Sequence, residues 1–140
     1  MAVHVLAVLA YKEGDRVTSA FLAGSVNTNP VIIRRLLLTL QRARLVETCK
    51  GAGSGSRLSR SPGRINLAEV YRAVEEVEPF AAPSRKPNDA CPVGHCIREA
   101  LRKIFASAER ALERDLEQTS LADVINAVKA SCACAGEKAG

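Results

Sequence analysis

Apolar and polar positions along this chain recur with a helical period almost throughout, interrupted once by a glycine-rich stretch and once by a run of prolines. The opening segment MAVHVLAVLAYKEG is mostly apolar and predicts a first core helix. Thr18 predicts the next helix start, because its hydroxyl can accept from the free N–H groups of a first helical turn. That helix runs through Ala20, Phe21, Leu22 and Ala23. Asn29-Pro30 predicts another start, with Asn as the cap and Pro at the first helical position, where no N–H partner is needed. Ser25-Val26-Asn27-Thr28 between them is read as the turn, with Asn27 taking the left-handed conformation that Asn tolerates. Ala23 is small enough for close helix approach, and Leu22, Val26, Ile33 and Leu36 are the expected contacts. In the second helix of the pair, Ile32, Ile33, Leu36, Leu37 and Leu40 form a stripe to be buried, while Val31, Arg34, Arg35 and Arg42 fall outside it.

The period then changes. Leu45, Val46 and Thr48 suit a short strand, GAGSGS a loop tip freed of side-chain clashes, and Arg57-Leu58-Ser59-Arg60 a returning strand. GAGSGS is no P-loop, since no Gly-Lys-Ser/Thr follows it. Helical spacing resumes in LAEVYRAVEEVE, with Leu67, Val70, Tyr71 and Val74 on one side. Residues 79–92 hold four prolines and no period, which predicts a loop. From 94 to 118 a long helix of about 37 Å is expected. Its apolar stripe is Ile97, Leu101, Ile104, Phe105, Ala108, Leu112 and Leu116. Ser120 caps a last helix, SLADVINAVKA, and 131–140 is read as a flexible tail. The fold class is mainly α with a small β-hairpin wing: a winged helix-turn-helix over 1–78, a linker or sensor loop over 79–92, and a dimerisation helix with the C-terminal helix over 93–130. The long stripe needs a partner, and a second copy of the same helix is the simplest one, giving a two-fold homodimer.

Charge adds direction. Residues 1–64 carry ten Lys and Arg against three Asp and Glu, and residues 65–140 carry ten against twelve, so a strongly basic part and a slightly acidic part make up the formal +5. That asymmetry suggests a nucleic-acid-binding end and another end with different work. With no Trp and 4% aromatic residues, stacking on single strands is disfavoured, and double-stranded DNA is the expected partner. An exposed helix N-terminus with arginines one turn in suits the major groove. Arg takes both acceptors of guanine, and Val31 can touch a thymine methyl. Lys50, Arg57 and Arg60 around a glycine-rich wing would neutralise phosphates. No apolar run reaches a membrane span and no leader is evident, so no membrane partner and a cytoplasmic, reducing location are expected. The five cysteines are then no disulfide framework. No catalytic constellation is visible, and His4 and His95 lie far apart in sequence, so an enzyme is not expected.

Four segments in succession, VTSAFLAGSVNTNPVIIRRLLLTLQRARLVET, KGAGSGSRLSR, INLAEVYRAVE and CPVGHCIREAL, resemble the Rrf-two (Rrf2) family of bacterial winged-helix repressors, of the IscR, NsrR and CymR type, over about residues 3–128. The resemblance implies a homodimer with crossed long helices that binds a palindromic operator through the second helix and the wing. It assigns Thr28, Asn29, Val31, Arg34 and Arg35 to the recognition helix and Gly53, Ser54, Gly55 and Arg57 to the wing, beside the basic Lys50. Cluster-binding members of the family carry three cysteines before and within the early long helix. Here that stretch offers only Cys91 and Cys96, and a third with similar spacing would fall near Arg102, where there is no cysteine. Four ligands are normal for a [2Fe–2S] centre. The cluster-free branch without a resident cofactor is therefore expected, with an iron–sulfur sensor as the alternative.

A thiol switch needs less. Cys91 precedes a helix start, which lowers a thiol pKa, and His95 and Cys96 are close by. Oxidised Cys91 would be trapped by Cys96 or by a thiol of a second copy. Cys132 and Cys134 are further resolving thiols or, with Cys91 and Cys96, ligands for a soft metal ion. Cys49 is read as structural. A different class of function, a winged-helix protein-interaction module that does not read DNA, is the remaining alternative.

Overall fold

A computed structural model describes residues 1–75, 87–88 and 90–137, with the helical backbone alone for 134–137. Its elements are α1 (Ala2–Tyr11), α2 (Ser19–Val26), α3 (Pro30–Arg42), β1 (Val46–Cys49), β2 (Gly55–Leu58), a 3-10 turn at Pro62–Arg64, α4 (Leu67–Val74), α5 (Pro92–Glu117) and α6 (Leu121–Glu137). The described residues are mostly helical, with one two-stranded antiparallel hairpin among them.

The core is built from one face of each N-terminal helix and the base of the hairpin. Val5, Leu6 and Leu9 of α1 meet Leu22 and Ala23 of α2, Ile33, Leu37 and Leu40 of α3, and Leu45, Val46 and Ile65. Thr18 Oγ1 accepts from the Phe21 N–H at 3.2 Å and Asn29 Oδ1 from the Val31 N–H at 2.8 Å, so both predicted caps form. Asn27 is left-handed, with φ 57°. The Thr28 N–H closes back to the Ala23 carbonyl at 2.9 Å. This wraps the chain from α2 into α3 in fewer residues than expected: Ser25 and Val26 are the last turn of α2, not part of the loop. Ile32 departs from the predicted stripe at 45% exposure. Ile33, Leu37 and Leu40 make the line toward the core, and Ile32 sits a hundred degrees off it in the first turn.

The wing differs from its sequence reading in where it returns. Val46 pairs with Leu58, Glu47 with Arg57, Thr48 with Ser56 and Cys49 with Gly55. The second strand therefore starts inside the glycine segment and ends at Leu58, before Ser59-Arg60. The reason is a third piece of backbone. Val17 forms an isolated antiparallel bridge with Ser56, with N–H···O distances of 2.9 and 2.8 Å in the two directions. Ser56 is thereby buried between Val17 and Thr48.

Asn66 and Glu69 form a reciprocal capping box that starts α4. The expected continuation of this helix over 76–78 lies outside the described residues, as do 79–86 and 89 of the expected loop. Helix α5 begins at Pro92, two residues earlier than expected, with Cys91 as its N-cap. The Leu67 N–H bonds the Thr119 carbonyl at 2.9 Å and the Leu121 N–H the Ile65 carbonyl at 2.8 Å, tying the α5–α6 turn to the start of α4. Ser120 and Asp123 cap α6 reciprocally. Leu121 and Ile125 join the same core as α1, so the C-terminal helix closes over the N-terminal half of the molecule. The tail expected to be flexible from 131 is helical as far as Glu137, an extension of the Ala-rich run in α6.

Candidate nucleic-acid interface

The face formed by α3 and the wing carries most of the residues singled out from sequence. Capping by Asn29 and the proline at N1 hold the N-terminus of α3 out into solvent, with Val31, Arg34 and Arg35 exposed in its first turns. The Arg34 Nε donates to Ser19 Oγ at 3.4 Å, which leans its guanidinium toward the start of α2. Arg35 and Arg42 lie on the outward side of the helix, opposite Ile33, Leu37 and Leu40. Between α3 and the wing runs a cleft of about 390 Å³ whose lining includes Ser19, Arg34, Leu38, Lys50, Ser54 and Gly55. Of the residues expected on the second helix, the structure thus brings Arg34 to one cleft with Lys50, Ser54 and Gly55 of the wing.

The cations of the wing are arranged differently from expectation. Arg57 reaches across the hairpin and pairs with Glu47 at 3.0 Å, so its charge is offset locally. Arg60 does not face the loop: it pairs with Glu69 of α4 at 2.6 Å. Lys50 stays exposed at the base of the tip. A residue missed from sequence joins it. Arg16, in the α1–α2 connection, donates from a guanidinium nitrogen to the Gly53 carbonyl at 3.4 Å and brings a positive charge to the wing tip. The Val17–Ser56 bridge brings this connection alongside the wing, and nothing local in the sequence signals that pairing. Gly53, with φ 73°, shapes the tip, whereas Gly55 is the first residue of β2 and packs against the backbone of Arg16 and Val17. Its role is to seat the wing.

Cys91, His95 and Cys96 stand apart from this cleft, at the head of α5. The N–H groups of Gly94 and then Val93 point at the Cys91 sulfur and hold its thiol below the ordinary range. Cys91, His95 and Cys96 are exposed. Five residues of α-helix separate two Cα atoms by about 8.7 Å, beyond the roughly 7 Å a disulfide can bridge without backbone movement. Cys96 of the same chain is therefore not placed to trap an oxidised Cys91, contrary to one expectation. Among the described residues, no three His, Cys, Asp or Glu converge as a metal-binding group. Cys132 is exposed on α6, the side chain of Cys134 lies outside the described residues, and Cys49 is half-buried at the end of β1.

Helix α5 has no buried residue in the single chain. Of its apolar stripe, Ile97, Leu101, Phe105, Ala108 and Leu116 are half-buried, and Ile104 and Leu112 are 60% and 38% exposed. Arg72 of α4 clamps the helix in place, donating to Glu113 at 2.6 and 2.8 Å and to Glu117 at 2.6 Å. Those two carboxylates raise the Arg72 pKa further, Glu117 most. Among the described residues no helix is long and apolar enough to cross a membrane.

Known proteins share this arrangement. The chain is 40% identical over 126 residues to a candidate HTH-type transcriptional regulator, YwnA of Bacillus subtilis, covering 90% of this chain and 92% of that one. A solved structure described as a candidate DNA-binding protein is 38% identical with a TM-score of 0.70, covering 89% of this chain and 95% of the other. CymR, the global cysteine regulator of B. subtilis, has the same fold at 21% identity, with a TM-score of 0.61 over 89% of this chain and 90% of its own. These relatives are regulators rather than enzymes. Residues 1–127 match the Rrf2 family, described as iron-dependent transcriptional regulators, and the chain belongs to that family of winged-helix transcription regulators.

Proposed function

We propose that the chain works as a homodimeric, sequence-specific repressor that binds a palindromic DNA operator and is controlled by the thiols at the head of α5. The observation that carries the DNA reading is that α3, with its capped N-terminus exposed, shares a cleft with the wing through its middle turns, with Arg34 and Lys50 in the lining and Arg16 at the tip. Such a surface positions itself by phosphate contacts and reads bases through the helix. Dimerisation is supported by the long amphipathic α5, none of whose residues is fully buried within its own chain. Two winged domains related by a two-fold axis would read half-sites about one helical turn apart.

Control through Cys91 is supported by its exposure and its lowered pKa. The thiolate attacks a peroxide, gaining one oxygen as sulfenic acid and releasing hydroxide. A second thiol, from another copy or from a small thiol, then displaces water and forms a disulfide. The Arg72 clamp joins α4 of the winged domain to the C-terminal part of α5, and it is the contact through which a shift of α5 would reach the DNA-binding face. Mobility shifts on the upstream region of the protein's own gene, with and without peroxide, test the reading. Loss of the shifted band on oxidation, retained in Cys91→Ser, is the expected result. Binding unchanged by oxidation in both proteins removes the switch, and no binding to any duplex removes the regulator.

A further inference from the structure

Val31, Arg35, Leu38 and Arg42 share one outward line of α3, following the i, i+4, i+7, i+11 spacing of a single helical face. Val31 is 47% exposed and Leu38 is 56% exposed. A single exposed leucine needs no explanation. Here, though, two apolar side chains bracket an arginine at the centre of a cationic face, with Arg34 and Lys50 on the adjoining cleft. A second copy of this face is a poor occupant, because Arg34, Arg35 and Arg42 would meet their own like charges. A major groove is a good one: its base edges present one apolar group, the C5-methyl of thymine.

We propose that Val31 and Leu38 each read a thymine methyl, on either side of the guanine taken by Arg35. The half-site then carries a guanine bracketed by thymines. The helix rises about 6 Å from Val31 to Arg35 and about 4.5 Å from Arg35 to Leu38. DNA steps by about 3.4 Å per base along a strand, so each thymine falls one or two steps from the guanine. Leu38 borders the cleft toward the wing, so its thymine lies on the wing side of the half-site. This assignment rests on the DNA-binding reading above and names what that surface selects.

The test begins by selecting duplexes from a random pool with the full chain. Each thymine of the selected half-site is then replaced in turn by deoxyuridine, which removes the methyl and nothing else. Two positions are expected to lose about fourfold in affinity, the worth of one buried methyl group. Val31→Ala abolishes that loss at one position and Leu38→Ala at the other. Both residues are exposed, so neither change threatens folding. The proposal is overturned if no deoxyuridine changes affinity while scrambling the site does, or if the loss persists in both variants. If no duplex is enriched at all, the DNA-binding reading falls and takes this one with it.

Discussion

Replacing Gly55 with alanine should damage the wing far more than the same change at Gly53, although the two stand only two residues apart. At Gly53, with φ 73°, a new Cβ meets open space. The cost there is left-handed strain, about 1–2 kcal/mol. Gly55 has φ 147°, and its Cβ would sit 3.0 Å from both the carbonyl carbon and the Cβ of Arg16 and 3.1 Å from the Val17 nitrogen. Backbone strain there costs about 1–3 kcal/mol. Relieving the crowding pushes the hairpin off Val17 and weakens both hydrogen bonds of the Val17–Ser56 bridge, worth about 1 kcal/mol each. Gly55→Ala is therefore expected to lose about 3–5 kcal/mol in all, seen in urea as a lower midpoint with an unchanged slope. Because Arg16 also reaches the Gly53 carbonyl, the displaced hairpin carries the wing tip with it. Duplex affinity should fall in Gly55→Ala under conditions where it is still folded. Equal destabilisation by the two substitutions, or the reverse order, refutes the claim that Gly55 seats the wing.

Asn29→Ala removes the cap of α3 and should cost about 1 kcal/mol of stability, together with a loss of duplex affinity. A melting curve and a titration check both, and unchanged binding would detach that helix end from the DNA. Ile104→Glu with Leu112→Glu places charge on the α5 stripe and should yield monomers in sedimentation equilibrium at concentrations where the parent chain is dimeric; a dimer that survives both places the interface elsewhere. Cys91 should alkylate with a pH midpoint below that of the same thiol in the urea-unfolded chain, followed by mass spectrometry, because the Gly94 and Val93 N–H groups favour its thiolate. The stability this supplies is complete above the unfolded thiol's pKa and is lost as pH falls through the depressed folded value. Coincident midpoints contradict it.

Much of the fold was legible because its signals are local. The caps at Thr18, Asn29 and Ser120, the left-handed Asn27 and the long amphipathic period of α5 depend on neighbours within a turn or two. What escaped depends on partners distant in sequence. The start of β2 is set by Val17, thirty-nine residues before Ser56. The pairing of Arg57 with Glu47 follows from the hairpin register, and that of Arg60 with Glu69 from the packing of α4. Both arginines looked like free cations beside a glycine loop, while Arg16, the cation that does reach the tip, carried no motif. Cys91 and Cys96 looked adjacent in sequence, and only the earlier helix start at Pro92 separates them. Ile32 looked buried because a stripe of five apolar residues is wider than the three that α3 turns inward.

The most direct test of the α3–wing surface is the salt dependence of duplex binding by the full chain. If each of two protomers neutralises about three phosphates, log K against log salt falls with a slope near −5. A steep slope of that order, shallower by about one unit per protomer in Lys50→Ala, is the predicted result. A flat response contradicts it and would make this winged fold a partner for protein rather than for DNA.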